Sequence, residues 1–154
     1  MGAATLTDDK MSASSGELGG LNDILGLRIR LAHGAVYRHF AETFADLDLT
    51  QKQVSALWLV SDNPGISQID LGGRLRMDRA TTMTIVNRLQ ARAFLRRERS
   101  TSDGRKQALY VTEAGASALA EAKRCIGEHE AWLKRRFTAG EIEKLVEMLA
   151  RIHE

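Results

Sequence analysis

The sequence has a single cysteine and no long apolar run, and each absence excludes a class of protein. With Cys125 alone, no disulfide can form within the chain, so a disulfide-stapled scaffold is excluded. No stretch approaches the roughly 18 consecutive apolar residues that a membrane-spanning helix needs. The first residues also lack the apolar segment of a signal peptide. We therefore expect a cytoplasmic protein.

Residues that carry metal or catalytic chemistry are equally sparse. Zinc binding is not expected, because the histidines form no ligand-spaced cluster with Cys125 (they are His33, His39, His129 and His153). There is no nucleophile motif and no phosphate-binding glycine loop, since the glycine pair at 72–73 stands alone inside a helical pattern. We expect no enzymatic activity, no cofactor and no metal. Cys125 fits a buried apolar position, although a redox-active thiol is an open alternative.

The charge of the chain is segregated. The formal net charge is only +2, but the segment 74–106 holds ten basic and three acidic residues, a net charge of +7. The remainder holds twelve basic and seventeen acidic residues, a net charge of −5. A basic centre on an acidic body is typical of a protein that binds a polyanion. Charge alone would also allow a merely solvated basic face.

The N-terminal third shows a change from polar to periodic sequence. Residues 1–20 are small, polar and rich in glycine, which predicts a flexible arm. From about Asn22 to Leu47, apolar residues recur every three or four positions, and this spacing predicts one long amphipathic helix. Thr50 begins a capping-box signature that opens a second helix, and an Asn-Pro-Gly sequence at 63–65 ends it.

Two short helices follow in a helix-turn-helix pattern. Ser67, with Asp70 three residues later, is predicted to cap the first of them. The glycine pair at 72–73 should weaken this helix, at a cost of about 1 kcal/mol per glycine. Asp78 is predicted to cap the second helix, which runs to about Ala91. The predicted apolar face of the second helix consists of Thr82, Ile85, Val86, Leu89 and Ala93.

A β-hairpin and two amphipathic helices complete the pattern. Strands are predicted from Phe94 and over 107–111, and Thr112 and Thr138 should cap the last two helices. We expect a mainly α fold with a small β-wing, that is, a winged helix-turn-helix. It should dimerise through its N- and C-terminal helices, because their apolar stripes need to be covered. The predicted division is a flexible N-terminal arm over 1–20, an N-terminal dimerisation helix over 21–49, a winged helix-turn-helix DNA-binding domain over 50–112 and C-terminal dimerisation helices over 113–154.

The stretch LRMDRATTMTIVNRLQARAFLRRERSTSDGRKQALYVTEAGA, residues 75–116, resembles the MarR-type bacterial transcription regulators, and the resemblance extends over about residues 22–152. Those proteins typically show a Ser/Thr-rich recognition helix ending R-L-x-x-x-G-L-[IV]-x-R, a wing ending D-x-R, and then L-T-x-x-G. The matching positions here are Arg88-Leu89, Phe94-Leu95, Arg97, Asp103-Gly104-Arg105 and Thr112 to Gly115. Ala93 stands where glycine is usual, which hints at a tighter helix end, and Gly104 stands where the wing often has a further arginine.

The resemblance implies that the second helix of the pair reads DNA in the major groove. With its apolar face inward, Thr84, Asn87 and Arg88 point outward; Asn87 could read adenine, and Arg88 could read guanine or hold phosphate. Ser67 and Gln68 begin the preceding helix, where backbone amides attract phosphate. The residues expected to contact DNA are Ser67, Gln68, Arg76, Arg79, Thr81, Thr84, Asn87, Arg88 and Arg105.

The tip of the hairpin has its own predicted role. A narrow minor groove has a strongly negative potential, and Arg105 is the candidate for insertion there. By analogy with the family, Asp103 is expected to pair with Arg97 at the base of the wing and to stiffen the hairpin. A surface ion pair is worth only about 0–1 kcal/mol, so its expected role is orientation.

The resemblance also implies a ligand site between the dimerisation helices and the DNA-binding lobe. Many family members respond to phenolic or aromatic carboxylates, some to aromatic coenzyme A thioesters and others to oxidants. A planar acid needs an aromatic wall and a cation, which Arg30, His33, Tyr37 and Trp58 could supply. Trp58 fits a core position equally well, and exposed arginines often only solvate a helix.

The predicted function is that of a homodimeric, sequence-specific DNA-binding transcriptional regulator. We expect a repressor that a small-molecule effector releases from a pseudo-palindromic double-stranded DNA operator. The effector would be an aromatic carboxylate or an aromatic acyl-CoA thioester. A redox-responsive regulator acting through Cys125 and a winged-helix protein-interaction module are the alternatives.

Overall fold

A computed structural model describes residues 18–154. The predicted flexible arm therefore lies outside the described residues over 1–17, whereas its last two positions, Gly19 and Gly20, begin a short 3-10 helix, Gly19–Asp23. The chain divides into two compact units, with the boundary in sequence between His39 and Phe40.

The first unit consists of the 3-10 helix and most of α1 (Leu25–Thr43). Arg28 joins the two, since its Nη2 donates to Asn22 Oδ1 at 2.7 Å and its Nε donates to the Asn22 carbonyl at 3.2 Å. Much of the predicted apolar stripe is exposed here, and Leu25 keeps 71% of its surface. The long N-terminal helix is confirmed over Leu25–Thr43, but residues 45–47 form a separate 3-10 helix, and within α1 only Phe40 is buried.

The second unit contains the remaining elements. They are the end of α1, a second 3-10 helix (Ala45–Leu47), α2 (Gln51–Asp62), β1 (Ile66–Ser67), α3 (Gln68–Arg74), α4 (Arg79–Ala91), β2 (Leu95–Arg99), β3 (Gln107–Val111), α5 (Glu113–Lys134) and α6 (Ala139–His153). Its core is an apolar cluster to which α2, α3, α4, the sheet and α5 all contribute. No residue of α6 is buried, although the helix carries the predicted apolar stripe. Helices and a small sheet therefore form the predicted fold class.

The helix starts follow the predicted capping signals. The side chains of Thr50 and Thr138 each accept from the backbone three residues later in complete capping boxes. Asp78 and Thr112 cap α4 and α5 in the same way from their side-chain oxygens. At Ser67 the hydroxyl accepts from the Asp70 amide, but the Asp70 carboxylate binds that hydroxyl and not the Ser67 backbone amide, so the capping box is incomplete. Each cap satisfies an amide that the helix itself cannot pair.

The sheet has three antiparallel strands in the order β1-β3-β2. The predicted hairpin is confirmed, with Leu95 opposite Val111 and Arg99 opposite Gln107. The sequence analysis did not predict β1, whose two residues are too few for an alternating pattern. This strand forms because the turn after α2 delivers it to β3, where Ile66 lies opposite Leu109.

Two glycines stand where elements approach too closely for a side chain. A Cβ on Gly72 would lie 2.6 Å from Thr82 Oγ1, so the residue expected to weaken α3 is required for α3 to pack on α4. A Cβ on Gly115 would lie 2.1 Å from the Phe94 carbonyl oxygen, at the start of α5. Both contacts are below van der Waals distance, and a larger residue would force the elements apart.

Ala93 ends α4 in a conformation that normally favours glycine. Its φ is +57°, its amide donates to the Gln90 carbonyl at 2.9 Å, and the Phe94 amide donates to the Leu89 carbonyl at 2.9 Å. These two bonds form a Schellman motif with alanine at the left-handed position. Ala93 is exposed, so its predicted place on the apolar face is wrong: the reversed backbone turns it away from the core.

We expect Ala93→Gly to stabilise the protein by about 0.5–1 kcal/mol, because glycine adopts positive φ without the steric cost of a Cβ. Urea denaturation at fixed protein concentration measures the free energy of unfolding. Ala91→Gly, two residues earlier and inside the helix, is the matched control and should destabilise by up to about 1 kcal/mol. Equal losses in both variants would contradict the left-handed strain at position 93.

Candidate nucleic-acid interface

The turn between α3 and α4 has a defined backbone geometry. Arg76 has a φ of +51°, its amide donates to the Gly73 carbonyl at 3.2 Å, and the Met77 amide donates to the Gly72 carbonyl at 2.9 Å. This is a second Schellman motif, and it ends α3 so that α4 can begin a few residues later. The Arg76 side chain is exposed at the tip of this turn.

Helix α4 has one buried and one exposed face. Thr82, Ile85, Val86 and Leu89 are buried, as predicted. The opposite face exposes Arg79, Ala80, Met83, Thr84, Asn87 and Arg88. Sequence reasoning missed Met83, which is 48% exposed. The spacing of the buried residues at 82 and 85 was the signal that could have placed Met83 on the outward face of the helix.

Two of the predicted contact residues have structural partners at helix starts. The Thr81 hydroxyl donates to Asp78 Oδ2 at 2.7 Å and its amide donates to Asp78 Oδ1 at 2.8 Å. These hydrogen bonds lower the pKa of Asp78, so its carboxylate persists at the start of α4. The Ser67 hydroxyl is likewise used in the cap of α3, donating to Asp70 Oδ2 at 2.7 Å.

Arg97 joins β2 to both helices of the pair. Its Nη1 donates to Gln90 Oε1 at 2.9 Å, and its Nη2 donates to Asn87 Oδ1 at 2.6 Å and to Gln68 Oε1 at 3.1 Å. Its buried Nε has no hydrogen-bond partner within residues 18–154. Arg97 therefore holds the first residue of α3 and the exposed face of α4 against the wing.

The predicted ion pair between Arg97 and Asp103 is wrong, since no such contact exists within residues 18–154. The Arg97 guanidinium instead donates to three side-chain amide oxygens, those of Gln68, Asn87 and Gln90. Asp103 lies in the hairpin turn, where its Oδ1 accepts from the Arg105 amide at 3.1 Å and its carbonyl accepts from the Lys106 amide at 2.9 Å. Asp103 shapes the turn from which the exposed Arg105 side chain projects.

The basic residues of the segment 74–106 fall into two groups. Some bind within the protein: Arg74 donates to Asn63 Oδ1, Arg92 donates to the Leu47 and Asp48 carbonyls, Arg96 pairs with Glu98 and stacks on Tyr110, and Arg97 binds the three amides. The others are exposed and have no ion pair or side-chain hydrogen bond within the described part of the chain. They are Arg76, Arg79, Arg88, Arg99, Arg105 and Lys106. These six cations remain available for an external polyanion.

The residues predicted to bind a ligand are divided between the two units. Arg30, His33 and Tyr37 are exposed on α1, where the His33 and Tyr37 rings are 6.3 Å apart. Trp58 lies half-buried on α2 in the second unit, with Lys123 Nζ 4.4 Å from its ring centre. Trp58 thus combines a core contact with a cation at the protein surface.

Cys125 is a buried side chain of α5, 3% exposed. Burial raises the pKa of its thiol, while the Arg124 guanidinium, with Nη2 3.6 Å from Sγ, opposes that shift. A buried thiol of raised pKa is a poor nucleophile, because the thiolate is the reactive form. The structure does not favour the alternative of redox sensing through Cys125.

We expect the turn that carries Arg105 to depend on an acceptor oxygen at position 103 rather than on its charge. In Asp103→Asn the amide oxygen can still accept from the Arg105 amide, whereas Asp103→Ala has no acceptor. Amide hydrogen exchange at Arg105, followed by NMR, should accelerate about two- to twelvefold in the alanine variant only. Both variants lose the same charge, so equal acceleration would assign the turn to the carboxylate charge.

Comparison with known proteins agrees with this arrangement. The model of the MarR family matches residues 49–106. A putative transcriptional regulatory protein for the hcr operon of Thauera aromatica is 28% identical over 130 residues, which cover 84% of this chain and 78% of that protein. The uncharacterized HTH-type transcriptional regulator YybA of Bacillus subtilis is 30% identical over 112 residues, covering 72% of this chain and 74% of that protein.

A solved structure extends the similarity to most of the chain. The transcriptional repressor CouR, bound to a 23-mer DNA duplex, superposes with a TM-score of 0.85 at 31% identity, over 90% of this chain and 98% of that one. Across residues 18–154, none of the helices combines the length and apolarity that crossing a bilayer would take. The similar proteins are regulators and not enzymes, and this chain belongs to the MarR family of winged helix-turn-helix, DNA-binding transcriptional regulators.

Proposed function

We propose that this protein is a dimeric repressor that binds a pseudo-palindromic operator and releases it when a small effector binds. The observation that carries the proposal is the Arg97 cluster, which fixes α3, α4 and the wing as one surface bordered by exposed cations. The similarity to CouR, a repressor bound to duplex DNA, supports the assignment of that surface.

The exposed face of α4 has the chemistry needed to read base edges. Thr84 and Asn87 offer hydrogen-bonding groups, and Arg88 offers a guanidinium that can form two bonds to guanine. Arg76 and Arg79 flank the start of the helix as phosphate contacts, and the Gln68 amide borders the same surface. Thr81 and Ser67 would act mainly through the helix starts that their caps organise, because their hydroxyls and the Thr81 amide are already bonded within the protein.

A second copy of the chain would cover the apolar residues that each unit leaves exposed. In α6, Val146 and Ile152 keep 63% and 64% of their surface. Leu21, Ile24 and Leu25 are exposed in the first unit. Patches of exposed apolar residues mark interaction surfaces. A twofold dimer would present two α4 helices to half-sites about one helical turn, roughly 34–36 Å, apart.

We expect the protein to bind the DNA that flanks its own gene more tightly than a random duplex, and Arg105→Ala to weaken both interactions. Each phosphate neutralised contributes about 0.9 to the slope of log K against log salt. Two copies of Arg105 in a dimer should therefore flatten the slope by about 1.8. Fluorescence anisotropy at several salt concentrations measures both quantities.

Arg124→Ala is the control for that experiment. It changes the net charge equally but removes a guanidinium already paired with Glu121 and Glu128 on α5, so the slope should be unaltered. Sedimentation equilibrium gives the oligomeric state. A monomer in solution, or a wild-type protein with no preference for the flanking DNA, would overturn the proposal, and an unchanged slope in Arg105→Ala would remove Arg105 from the interface.

The effector is proposed to be an aromatic carboxylate or an aromatic acyl-CoA thioester. On α1, the exposed His33 and Tyr37 rings and the exposed Arg30 offer an aromatic surface and a cation for such a molecule. In the second unit, Trp58 with Lys123 over its ring offers the same chemistry. To release DNA, the effector must bind the state that does not fit the operator more tightly than the state that does.

We expect benzoate, 4-hydroxybenzoate or their coenzyme A thioesters to raise the melting temperature by a few degrees and to weaken operator binding. Arg30→Gln should abolish the response, whereas Arg38→Gln, an exposed arginine of the same helix, is the matched control. If none of the four compounds shifts melting or operator affinity, the aromatic effector class is wrong while the DNA-binding assignment stands.

A further inference from the structure

The Arg97 cluster fixes the orientation of three side-chain amides. A guanidinium has five N–H donors and no acceptor, so each amide bound to it must turn its oxygen inward. Gln68, Asn87 and Gln90 all do so, at 2.6–3.1 Å from the Arg97 nitrogens. An inverted amide would place its NH₂ group against the N–H groups of the arginine. The NH₂ group of each amide is therefore directed away from Arg97.

Asn87 is the member of this set that lies at the centre of the exposed α4 face. Its contact with Arg97, at 2.6 Å, is the shortest of the three and is charge-assisted. Arg97 itself is half-buried, with its Nε enclosed, so its guanidinium has little freedom to follow a moving partner. The Asn87 oxygen is therefore held toward Arg97, and the two N–H donors are the groups of this amide that are turned away from the protein.

An asparagine that can only donate reads a different base from a free asparagine. The two-bond contact with adenine requires a donor toward N7 and an acceptor toward the N6 amino group. The Asn87 oxygen is directed at Arg97, so it is not positioned to accept from the N6 amino group. Guanine presents two acceptors, N7 and O6, and thymine presents one, O4, whereas adenine has its one acceptor, N7, beside an amino donor and cytosine presents an amino donor. The free NH₂ group matches guanine best and thymine next.

We propose that Arg97 is a specificity-determining positioning residue, which converts Asn87 into a donor-only reader that selects guanine, and after it thymine, over adenine. This inference rests on the proposed function, because it needs the α4 face to enter the major groove. It replaces the adenine contact expected for Asn87 from the sequence.

The test is binding-site selection from a library of duplexes with a random central segment, using the full chain. The position read by Asn87 is the one whose preference disappears in Asn87→Ala. At that position the wild type should select guanine. In Arg97→Met the Asn87 amide is free to rotate, and the preference should shift about tenfold or more toward adenine. Arg96→Met, one residue earlier in β2 and bound to Glu98 and Tyr110, is the control and should select like the wild type.

A second variant makes the test independent of whether Arg97→Met folds. Asn87→Asp keeps an oxygen for Arg97 but presents an acceptor to DNA, so its preference should move to cytosine. Adenine selection by the wild type, no position sensitive to Asn87→Ala, or guanine retained in a folded Arg97→Met or in Asn87→Asp would each overturn the inference. If the wild type enriches no sequence at all, the proposed function itself fails.

Discussion

The backbone reversal after α4 is the constraint on which the DNA-facing half of the molecule depends. The Ala93 carbonyl there accepts from the Thr112 hydroxyl at 2.5 Å. The next carbonyl, that of Phe94, accepts from the Thr112 amide at 3.1 Å. Gly115 then packs directly on the second of them. The end of α4, the first strand of the wing and the start of α5 meet at these bonds. The threonine and glycine of the sequence Thr112 to Gly115 thus have a structural role: Thr112 hydrogen-bonds the backbone reversal, and Gly115 allows α5 to approach it.

Within that frame, charge has two distinct uses. Arg92 and Arg97 donate hydrogen bonds to carbonyl and amide oxygens of neighbouring elements. The side chains of Arg79, Arg88 and Arg105 are exposed to solvent. The net charge of the segment therefore overstates the charge available to DNA, and the internally bound arginines set the orientation of the others. A basic segment in this fold is both framework and contact surface.

Local signals predicted the fold well, because caps and turns are encoded within a few residues of where they act. Thr50, Asp78, Thr112 and Thr138 each begin a helix as expected. Contacts between elements were harder to predict. The strand β1 exists only because β3 lies beside it, and the requirement for Gly72 arises from Thr82 on another helix. Neither partner can be identified from spacing along one sequence.

In the candidate site, too, local patterns were predicted better than contacts between elements. Helical periodicity identified which α4 residues face outward, but it placed Ala93 with the core, since periodicity assumes that the helix continues. The Arg97–Asp103 pair was expected from complementary charge, yet uncharged amide oxygens on two other elements hold the arginine. Opposite charges nearby in sequence are a weak guide when an arginine has five donors to satisfy.

The lack of any fully buried residue in α6 has a consequence for how the regulator would respond to its own abundance. If a second copy covers its apolar stripe, then assembly is bimolecular, and operator occupancy at low abundance rises with the square of the number of chains in the cell. Dilution of the protein during growth would then reduce operator occupancy more steeply than dilution of a protein that binds DNA as a monomer. A helix with no buried residue would in this way give a small protein a steep dosage threshold.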